Sequence, residues 1–266
     1  MRNNIDYRGF ARLVRIETLK MIYKAKASHI GGAFSMVDLL AVLYNGILVA
    51  DAANPDNPQR DRLLLSKGHA CTSLYATLAL KGFFPIEELA TYGQDNSRLM
   101  SHANHKVPGV ELSTGSLGHA LSIACGIAVA AKTKSERWKT YCLLSDGELD
   151  EGSNWESILF AAHHCLNNVV AIVDYNKIQA FGRTNEVINL ESLCDKFLAF
   201  GWNPTEIDGH DYRQIEQAFL TKTSKPMVII AHTTKGKGID FMENSLLWHY
   251  RSPDQAQFEE ALKQLS

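Results

Sequence analysis

Asp146 and Asn176 are two hard oxygen donors, and each comes shortly after an apolar run, residues 141–144 and 169–173. A helical pattern over residues 154–166 separates the two runs. This order predicts a strand, a crossover helix and a parallel strand joined in the right-handed sense. Both donors then lie at the carboxyl edge of the sheet, where α/β proteins bind their ligands. Carboxylate and amide oxygens suit magnesium or calcium better than zinc.

Gly147 follows Asp146 directly. A residue without a Cβ lets the backbone approach a phosphate and donate its N–H. Because magnesium takes few protein ligands and completes its shell with phosphate and water, the unit predicts a clamp for a metal-bound diphosphate. The alternative is an ordinary Asp-Gly turn followed by an unrelated asparagine.

Four histidines fall in predicted loops beside glycines, prolines or strand ends: His29, His69, His102 and His249. Imidazoles donate, accept and transfer protons near neutral pH, as chemistry on sugar hydroxyls requires. Their spacing is not that of zinc ligands. The alternative for each is a structural or surface histidine.

The composition is that of a globular protein without a nucleic-acid or membrane partner. Of the 266 residues, 45% are apolar, and the formal net charge of -2 comes without clustered basic residues. Residues 1–20 lack the apolar core of a signal peptide, and the longest small-apolar run, residues 120–131, is too short to span a bilayer. Five cysteines without CxxC spacing are expected to be reduced core residues of a cytoplasmic protein.

Strand-like and helical segments alternate along the whole chain, without repeats. The pattern predicts an α/β fold whose parallel sheet is covered by helices on both faces, in a single domain of residues 1–266. The expected strands are residues 62–66, 141–144, 169–173, 204–207 and 227–232. Capping boxes are expected at Ser35 with Asp38, opening a helix to about residue 48, and at Ser252, opening the last helix.

Residues 145–176 resemble the thiamine diphosphate motif, and more narrowly the version found in transketolases. The motif begins Gly-Asp-Gly and ends at Asn; here the stretch begins SDG, with Ser145 in place of the first glycine, and ends DYN. The resemblance implies that Asp146, Asn176 and the backbone carbonyl of Ile178 hold the metal. It also implies that the glycine after Asp146 lies against the diphosphate.

Other loops resemble the histidine segments of transketolases. The matching segments are residues 27–32 (ASHIGG), 66–70 (SKGHA), 101–103 (SHA) and 248–249 (WH). The resemblance implies that His29, His69, His102 and His249 are catalytic residues that act on the substrate, and that His69 also lies near the cofactor. His105 is the alternative to His102.

Residues 114–118 (TGSLG) resemble the family's cofactor loop, with His119 where transketolases usually have Gln. The cofactor-binding residues implied by the resemblance are His69, Gly115, Ser116, Leu117, Gly147, Glu148, Glu151, Asn176 and Lys235. Glu151 matches the glutamate that couples two active sites across a dimer, and its alternative is a charge that complements a helix N-terminus. For Lys235 the alternative is a solvated loop lysine.

The resemblance covers the first section of a transketolase, which holds half of the cofactor site. It implies the diphosphate-binding subunit of a split enzyme that transfers a two-carbon ketol unit from a ketose, expected to be phosphorylated, to an aldose. The implied cofactors are thiamine diphosphate and Mg2+ or Ca2+. The implied partner is a C-terminal-section subunit that carries the pyrimidine-binding domain, in an α2β2 heterotetramer that is active only when both subunits are present.

Two other functions are alternatives. One is a subunit of a different thiamine diphosphate enzyme, such as a dehydrogenase E1 α subunit or a deoxyxylulose-phosphate synthase, and the four-histidine set argues against both. The other is a non-catalytic subunit that retains the fold. Cofactor binding in the presence of the partner would separate that class from an enzyme.

Overall fold

The structure, a computed structural model, describes residues 5–266. Its strands are β1 (Arg62–Leu65), β2 (Thr140–Ser145), β3 (Val169–Tyr175), β4 (Asn203–Asp208) and β5 (Met227–His232). They form one sheet in the order β1-β2-β3-β5-β4, and every neighbouring pair is parallel. The predicted α/β fold with a parallel sheet is confirmed, and each expected strand is present within two residues of its predicted ends.

Ten α-helices connect and cover the strands. They are α1 (Tyr7–Ala25), α2 (Ile30–Ser35), α3 (Val37–Val42), α4 (Cys71–Leu80), α5 (Ala120–Thr133), α6 (Gly152–His163), α7 (Thr184–Val187), α8 (Leu193–Ala199), α9 (Tyr212–Leu220) and α10 (Gln255–Gln264) among the described residues. Short 3-10 turns follow three strands or loops that reach the site, at Gly68–Ala70, Gly147–Asp150 and Leu246–His249.

Alternate residues of each strand enter opposite cores. In β2, Tyr141 and Leu143 pack with α1, α3, α4 and α9, whereas Cys142 and Leu144 pack with α5, α6 and α8 on the other face. Because side chains of a strand alternate between faces and both faces are buried, the strands appear in the sequence as continuous apolar runs.

A third apolar cluster joins the two ends of the described chain. Leu19 of α1 and Phe34 of α2 pack with Met242, Trp248 and Leu265. This cluster holds the long segment between β5 and α10 against the loop that connects α1 to α2. Two of the predicted histidine segments are therefore brought to the same edge of the sheet.

The capping box predicted at Ser35 and Asp38 is wrong. Ser35 is the last residue of α2, and its hydroxyl donates to Asp174. Asp38 is buried in α3, where it pairs with Arg15. The expected single helix is divided into α2, α3 and a π-helical turn at Leu43–Ile47. Tertiary partners for the two polar side chains outweigh the local capping geometry.

The cap predicted for the last helix is also wrong. Asp254 is the N-cap residue, and a capping box joins it to Gln257. The hydroxyl of Ser252 instead donates to the carbonyl of Ile22 at 3.1 Å. Both Ser252 and Asp254 have a side chain able to cap, and the tertiary contact of Ser252 with α1 decides between them.

The cysteines are only partly core residues. Cys71, Cys125 and Cys142 are buried, whereas Cys165 is exposed and Cys194 is half-buried, contrary to the expectation for all five. All five thiols are free. Over the described part of the chain, no helix combines the length and apolarity needed to cross a membrane.

Candidate functional site

A cleft of about 310 Å³ opens at the carboxyl edge of the sheet, where β2 and β3 end. Predicted site residues that line it are His69, Leu117, Asp146, Gly147, Glu151, Asn176, Ile178, Lys235 and His249. The rest of the lining is Gly32, Lys67, Ser145, Asp150, Gln179, Ala180 and Phe181. The other predicted residues, all within the described chain, stand behind or beside this lining: His29, His102, Gly115, Ser116 and Glu148.

Asp146 directly follows β2 and is 2% exposed. Its Oδ2 accepts the backbone N–H of Lys177 at 2.5 Å, and its Oδ1 accepts that of Gly147 at 2.7 Å. The predicted phosphate donor, the Gly147 N–H, is thus directed to Asp146 in this structure. Burial and the nearby Asp174 carboxylate raise the pKa of Asp146 to about 6.

Gly147 is a position of close approach. A Cβ here would lie 2.7 Å from Cγ of Gln179, whose side chain amide donates to Asp150 at 2.9 Å. The loop after β2 and the loop after β3 therefore touch at this glycine, which agrees with the expectation of a backbone that must come close to another group.

Asn176 has a fixed amide orientation. Its Nδ2 donates to Asp174 at 3.3 Å, and its Oδ1 accepts the N–H of Ile178 at 3.2 Å. Because a carboxylate only accepts and a backbone N–H only donates, these two contacts determine which amide atom is oxygen. The amide oxygen thus lies on the side of Ile178, the residue whose carbonyl is the third predicted metal ligand.

Lys235 is buried and central, so its alternative as a solvated loop lysine is wrong. It is 2% exposed, and its Nζ donates to the carbonyl of Ile178 at 2.9 Å and contacts Nδ1 of His249 at 3.1 Å. Burial lowers the pKa of Lys235 to about 8, although Asp146 opposes that shift. An ammonium group only donates, so Nδ1 of His249 accepts and the proton of that ring lies on Nε2.

Three of the four predicted histidines form one cluster. The ring centroid of His29 lies 4.9 Å from that of His69 and 5.2 Å from that of His249. The backbone of His29 has a φ of 73°, in the left-handed region that non-glycine residues seldom adopt. Its N–H donates to the carbonyl of His249 at 2.9 Å. A strained residue at a cleft is typical of a functional site.

The clustered rings are held neutral. Burial, with the charges of His102 and Lys235, lowers the pKa of His29 to about 4. Burial and Lys235 lower that of His249 to about 3. Burial, chiefly, also holds the pKa of His69 well below its usual value. Neutral imidazoles offer one donor and one acceptor each, as required to bind hydroxyl groups and transfer their protons.

His102 and His105 have different surroundings. Both are exposed, but the Cδ2 atom of His102 would lie 3.2 Å from a Cβ built on Gly115, so its ring covers the predicted cofactor loop. The ring of His105 instead bonds to Ser113 Oγ at 2.7 Å. His102, and not His105, contributes to lowering the pKa values in the histidine cluster.

The loop of residues 114–118 lies directly on the loop after β1. A Cβ on Gly68 would meet the carbonyl oxygen of Thr114 at 2.4 Å, so only glycine fits there. Within the loop Gly115 and Ser116 are exposed, and Leu117 alone faces the cleft.

The two glutamates of the acidic loop have separate environments. Glu148 is fully buried, and its carboxylate accepts from Ser66 and from the N–H groups of Gly118 and Ser145. It therefore shapes the loops and does not face the cleft. Glu151 is exposed at the N-cap position of α6 without a capping hydrogen bond, and it also lines the cleft.

Sequence reasoning missed an ion pair at the centre of the site. Lys67 and Asp174 are both buried and bonded to each other, and Lys67 also donates to the carbonyl of Gly32 at 2.8 Å. Asp174 further accepts from Thr233. The available signal was a charged residue of each sign directly at the end of a buried strand, where burial demands a partner.

Comparisons with known proteins place the chain in a family. The family model described as the transketolase thiamine diphosphate binding domain matches residues 8–264. One of the two subunits named for the apulose-4-phosphate transketolase of Phocaeicola vulgatus is 42% identical over 255 residues, which is 95% of this chain and 91% of that relative. A 6-deoxy-6-sulfo-D-fructose transketolase subunit of a Clostridium species is 41% identical over 266 residues, which is 98% of this chain and 96% of that relative.

The fold comparison agrees. The crystal structure of transketolase from Campylobacter jejuni superposes with a TM-score of 0.93 at 34% identity, covering 100% of this chain and 43% of that one. The chain thus spans less than half the length of this solved transketolase, whereas it spans nearly all of the relatives named as transketolase subunits.

The fold and the strand-end cleft are those of a thiamine diphosphate binding domain. This chain belongs to the transketolase family, in its thiamine diphosphate binding section. The resemblance inferred from the sequence is confirmed.

Proposed function

We propose that this chain is the diphosphate-binding subunit of a split transketolase, which moves a two-carbon ketol unit from a ketose to an aldose. The observation that carries the proposal is the cleft in which Asp146, Asn176, Ile178 and Lys235 converge beside a histidine cluster. The assignment as one component of a larger enzyme is supported by the two relatives named as transketolase subunits, which align over nearly their full lengths.

The residues at the cleft fit a metal-bound diphosphate. Asp146, the amide oxygen of Asn176 and the carbonyl of Ile178 would hold Mg2+ or Ca2+, because all three are hard oxygen donors. The raised pKa of Asp146 indicates that its negative charge lacks sufficient compensation, which a divalent cation would supply. Lys235 adds positive charge for the diphosphate.

When bound, thiamine diphosphate supplies the carbon nucleophile and the electron sink of the reaction. The protein residues bind, orient and move protons. His29, His69 and His249 are placed to bind substrate hydroxyls and exchange protons with them, while His102 covers the cofactor loop. The proton on Nε2 of His249 is available as a donor because Lys235 occupies Nδ1.

The substrate is proposed to be an anionic ketose. One relative is named for a sugar phosphate and the other for a sulfonated sugar, so both named substrates carry a strongly acidic group. A phosphorylated ketose remains the first candidate, and a sulfonated ketose is the comparison substrate.

The proposed assembly is an α2β2 heterotetramer, in which residues 1–266 form one diphosphate-binding domain and a second chain supplies the pyrimidine-binding domain. Glu151 lies at the exposed rim of the cleft, where it could couple neighbouring active sites. A cytoplasmic location belongs to the same proposal, and the five free thiols are consistent with it.

The test is reconstitution. The purified chain is assayed for ketol transfer with thiamine diphosphate, magnesium, a ketose phosphate and an aldose, alone and with a protein that carries the transketolase pyrimidine-binding section. We expect activity only in the mixture. Cofactor binding without ketol transfer by the complex would favour the non-catalytic alternative, and transfer by the chain alone would contradict the split enzyme.

A further inference from the structure

The turn between β4 and α9 carries a histidine that the proposed site does not use. Gly209 brings this turn against the end of β5: its N–H donates to the carbonyl of His232 at 2.8 Å, and a Cβ here would lie 2.4 Å from Cγ2 of Thr233. His210 follows and faces inward, with its side chain 16% exposed.

The two ring nitrogens of His210 make two different hydrogen bonds. The backbone N–H of Thr234 donates to Nε2 at 2.8 Å. Because a backbone N–H can only donate, Nε2 carries a lone pair and the ring proton lies on Nδ1. That proton points to Oδ2 of Asp38, which is 2.7 Å from Nδ1.

Asp38 is itself fixed. Its carboxylate accepts two hydrogen bonds from Arg15, at 3.1 and 2.7 Å, and one from the hydroxyl of Tyr212 at 2.8 Å. Together with His210 these donors fill its acceptor positions. Burial opposes ionisation of Asp38, but Arg15 and His210 outweigh burial and hold its pKa well below the usual value. A charged and fully bonded carboxylate leaves His210 a single orientation.

Thr234 is the residue before Lys235, and three backbone hydrogen bonds hold this short segment. The Thr234 N–H donates to His210, the carbonyl of Lys235 accepts from Asn244 at 2.9 Å, and the N–H of Gly236 donates to a carbonyl of α2 at 2.9 Å. Only the first of these bonds uses a side chain. It is therefore the one through which the sequence adjusts the position of Lys235.

We propose that His210 is a positioning residue for Lys235. Asp38 orients the imidazole, the imidazole holds the N–H of Thr234, and this bond sets where the ammonium group of Lys235 lies beside Ile178. The inference rests on the proposed role of Lys235 in binding the diphosphate.

Two substitutions separate the two hydrogen bonds of His210. His210→Gln places a carbonyl oxygen near the position of Nε2, so it can still accept from Thr234. His210→Asn places its amide near the position of Nδ1, so it keeps a donor for Asp38 and loses the acceptor for Thr234. Tyr212→Phe is the matched control, because it removes a hydrogen bond to Asp38 without touching Thr234.

Affinity for thiamine diphosphate with magnesium is measured by calorimetry in the chain assembled with its partner subunit. We expect His210→Asn to weaken binding by about three- to tenfold, the equivalent of one lost hydrogen bond. His210→Gln and Tyr212→Phe should stay within about twofold of the unaltered protein. Equal losses in all three variants would overturn the inference, since they would indicate a general effect of the network on stability.

A double-mutant cycle with Lys235→Met tests whether His210 acts through Lys235. If it does, His210→Asn causes no further loss of affinity in the Lys235→Met background. An undiminished loss in that background would overturn the positioning role. If Lys235→Met alone leaves affinity unchanged, the proposed function of Lys235 fails, and the inference falls with it.

A measurement on the unaltered chain keeps the inference testable even if a variant does not fold. The Thr234 amide should exchange with solvent slowly, because its acceptor is an oriented side chain beneath the surface. Exchange at the rate of an unbonded amide would contradict the hydrogen bond on which the inference depends.

Discussion

Lys67 and Asp174 form an ion pair in which the two side chains are only 1% and 0% exposed. The pair crosses β2, since Lys67 follows β1 and Asp174 lies near the end of β3. Burial disfavours the Asp174 carboxylate, yet Lys67 outweighs burial and lowers its pKa. The pair therefore ties the outer strand of the sheet to the strand that carries Asn176.

Lys67→Met should destabilise the protein strongly, because it leaves Asp174 buried and without its cation. The expected loss of unfolding free energy is about 3–5 kcal/mol, measured by urea denaturation. The double variant Lys67→Met with Asp174→Asn removes both charges and should be more stable than the single variant. A double variant at least as unstable as Lys67→Met would contradict this account of the pair.

Asp146→Ala should abolish magnesium-dependent binding of thiamine diphosphate while the fold is retained. The reason is that Asp146 is the single charged group among the three proposed metal ligands. Calorimetry on the assembled complex measures the affinity, and circular dichroism checks the fold. Asp95→Ala, at an exposed loop carboxylate, is the control and should bind normally. Unchanged affinity in Asp146→Ala would refute the proposed metal site.

His69→Ala and His249→Ala should lower turnover more than they weaken cofactor binding, because their proposed partners are substrate hydroxyls. Loss of a proton-transfer group costs about 10²–10⁴-fold in rate. His232→Ala is the control: its side chain is 39% exposed and pairs with Glu206 outside the cleft. Normal turnover in both test variants would mean that the cluster is structural.

The histidine cluster should make stability depend on pH. The pKa of His29 falls from 6.5 to about 4 on folding, and that of His249 falls from 6.5 to about 3. Between these values the unfolded chain takes up protons that the folded chain excludes, so the free energy of unfolding falls as the pH drops below 6.5. Above that pH the cluster contributes no slope.

The test compares the unaltered protein with His249→Gln by urea unfolding at several pH values from neutral to mildly acidic. Because glutamine does not titrate, the variant should lose less stability on acidification, and the difference between the two proteins should change steadily across this range. A difference that is independent of pH would mean that His249 accepts a proton equally in both states.

Much of the site follows from sequence because it follows from topology. Parallel strands end at one edge, so Asp146 and Asn176 had to meet once the two apolar runs were recognised as neighbouring strands. The order of the remaining strands is not contained in local patterns, and the pairing of Lys67 with Asp174 across β2 could therefore not be derived. The left-handed backbone of His29 was equally hidden, since no local signal requires it in a non-glycine residue.

The errors at helix ends have a common physical origin. Ser35 and Ser252 each stand where a capping residue would stand, yet both hydroxyls bond to distant partners, Asp174 and Ile22. A capping box is recognised from residues a few positions apart. Whether a hydroxyl caps its own helix or bonds elsewhere is decided by what the fold places beside it.

The hydrogen bond between His29 and His249 also sets the order in which the site can form during synthesis. The N–H of His29 requires a carbonyl that is made near the other end of the described chain, and Ser252 reaches back to Ile22 across 230 residues. Contacts of such long range form late in folding. A growing chain emerging from the ribosome thus cannot capture the coenzyme prematurely, and occupancy of the cleft reports that the polypeptide has folded from end to end.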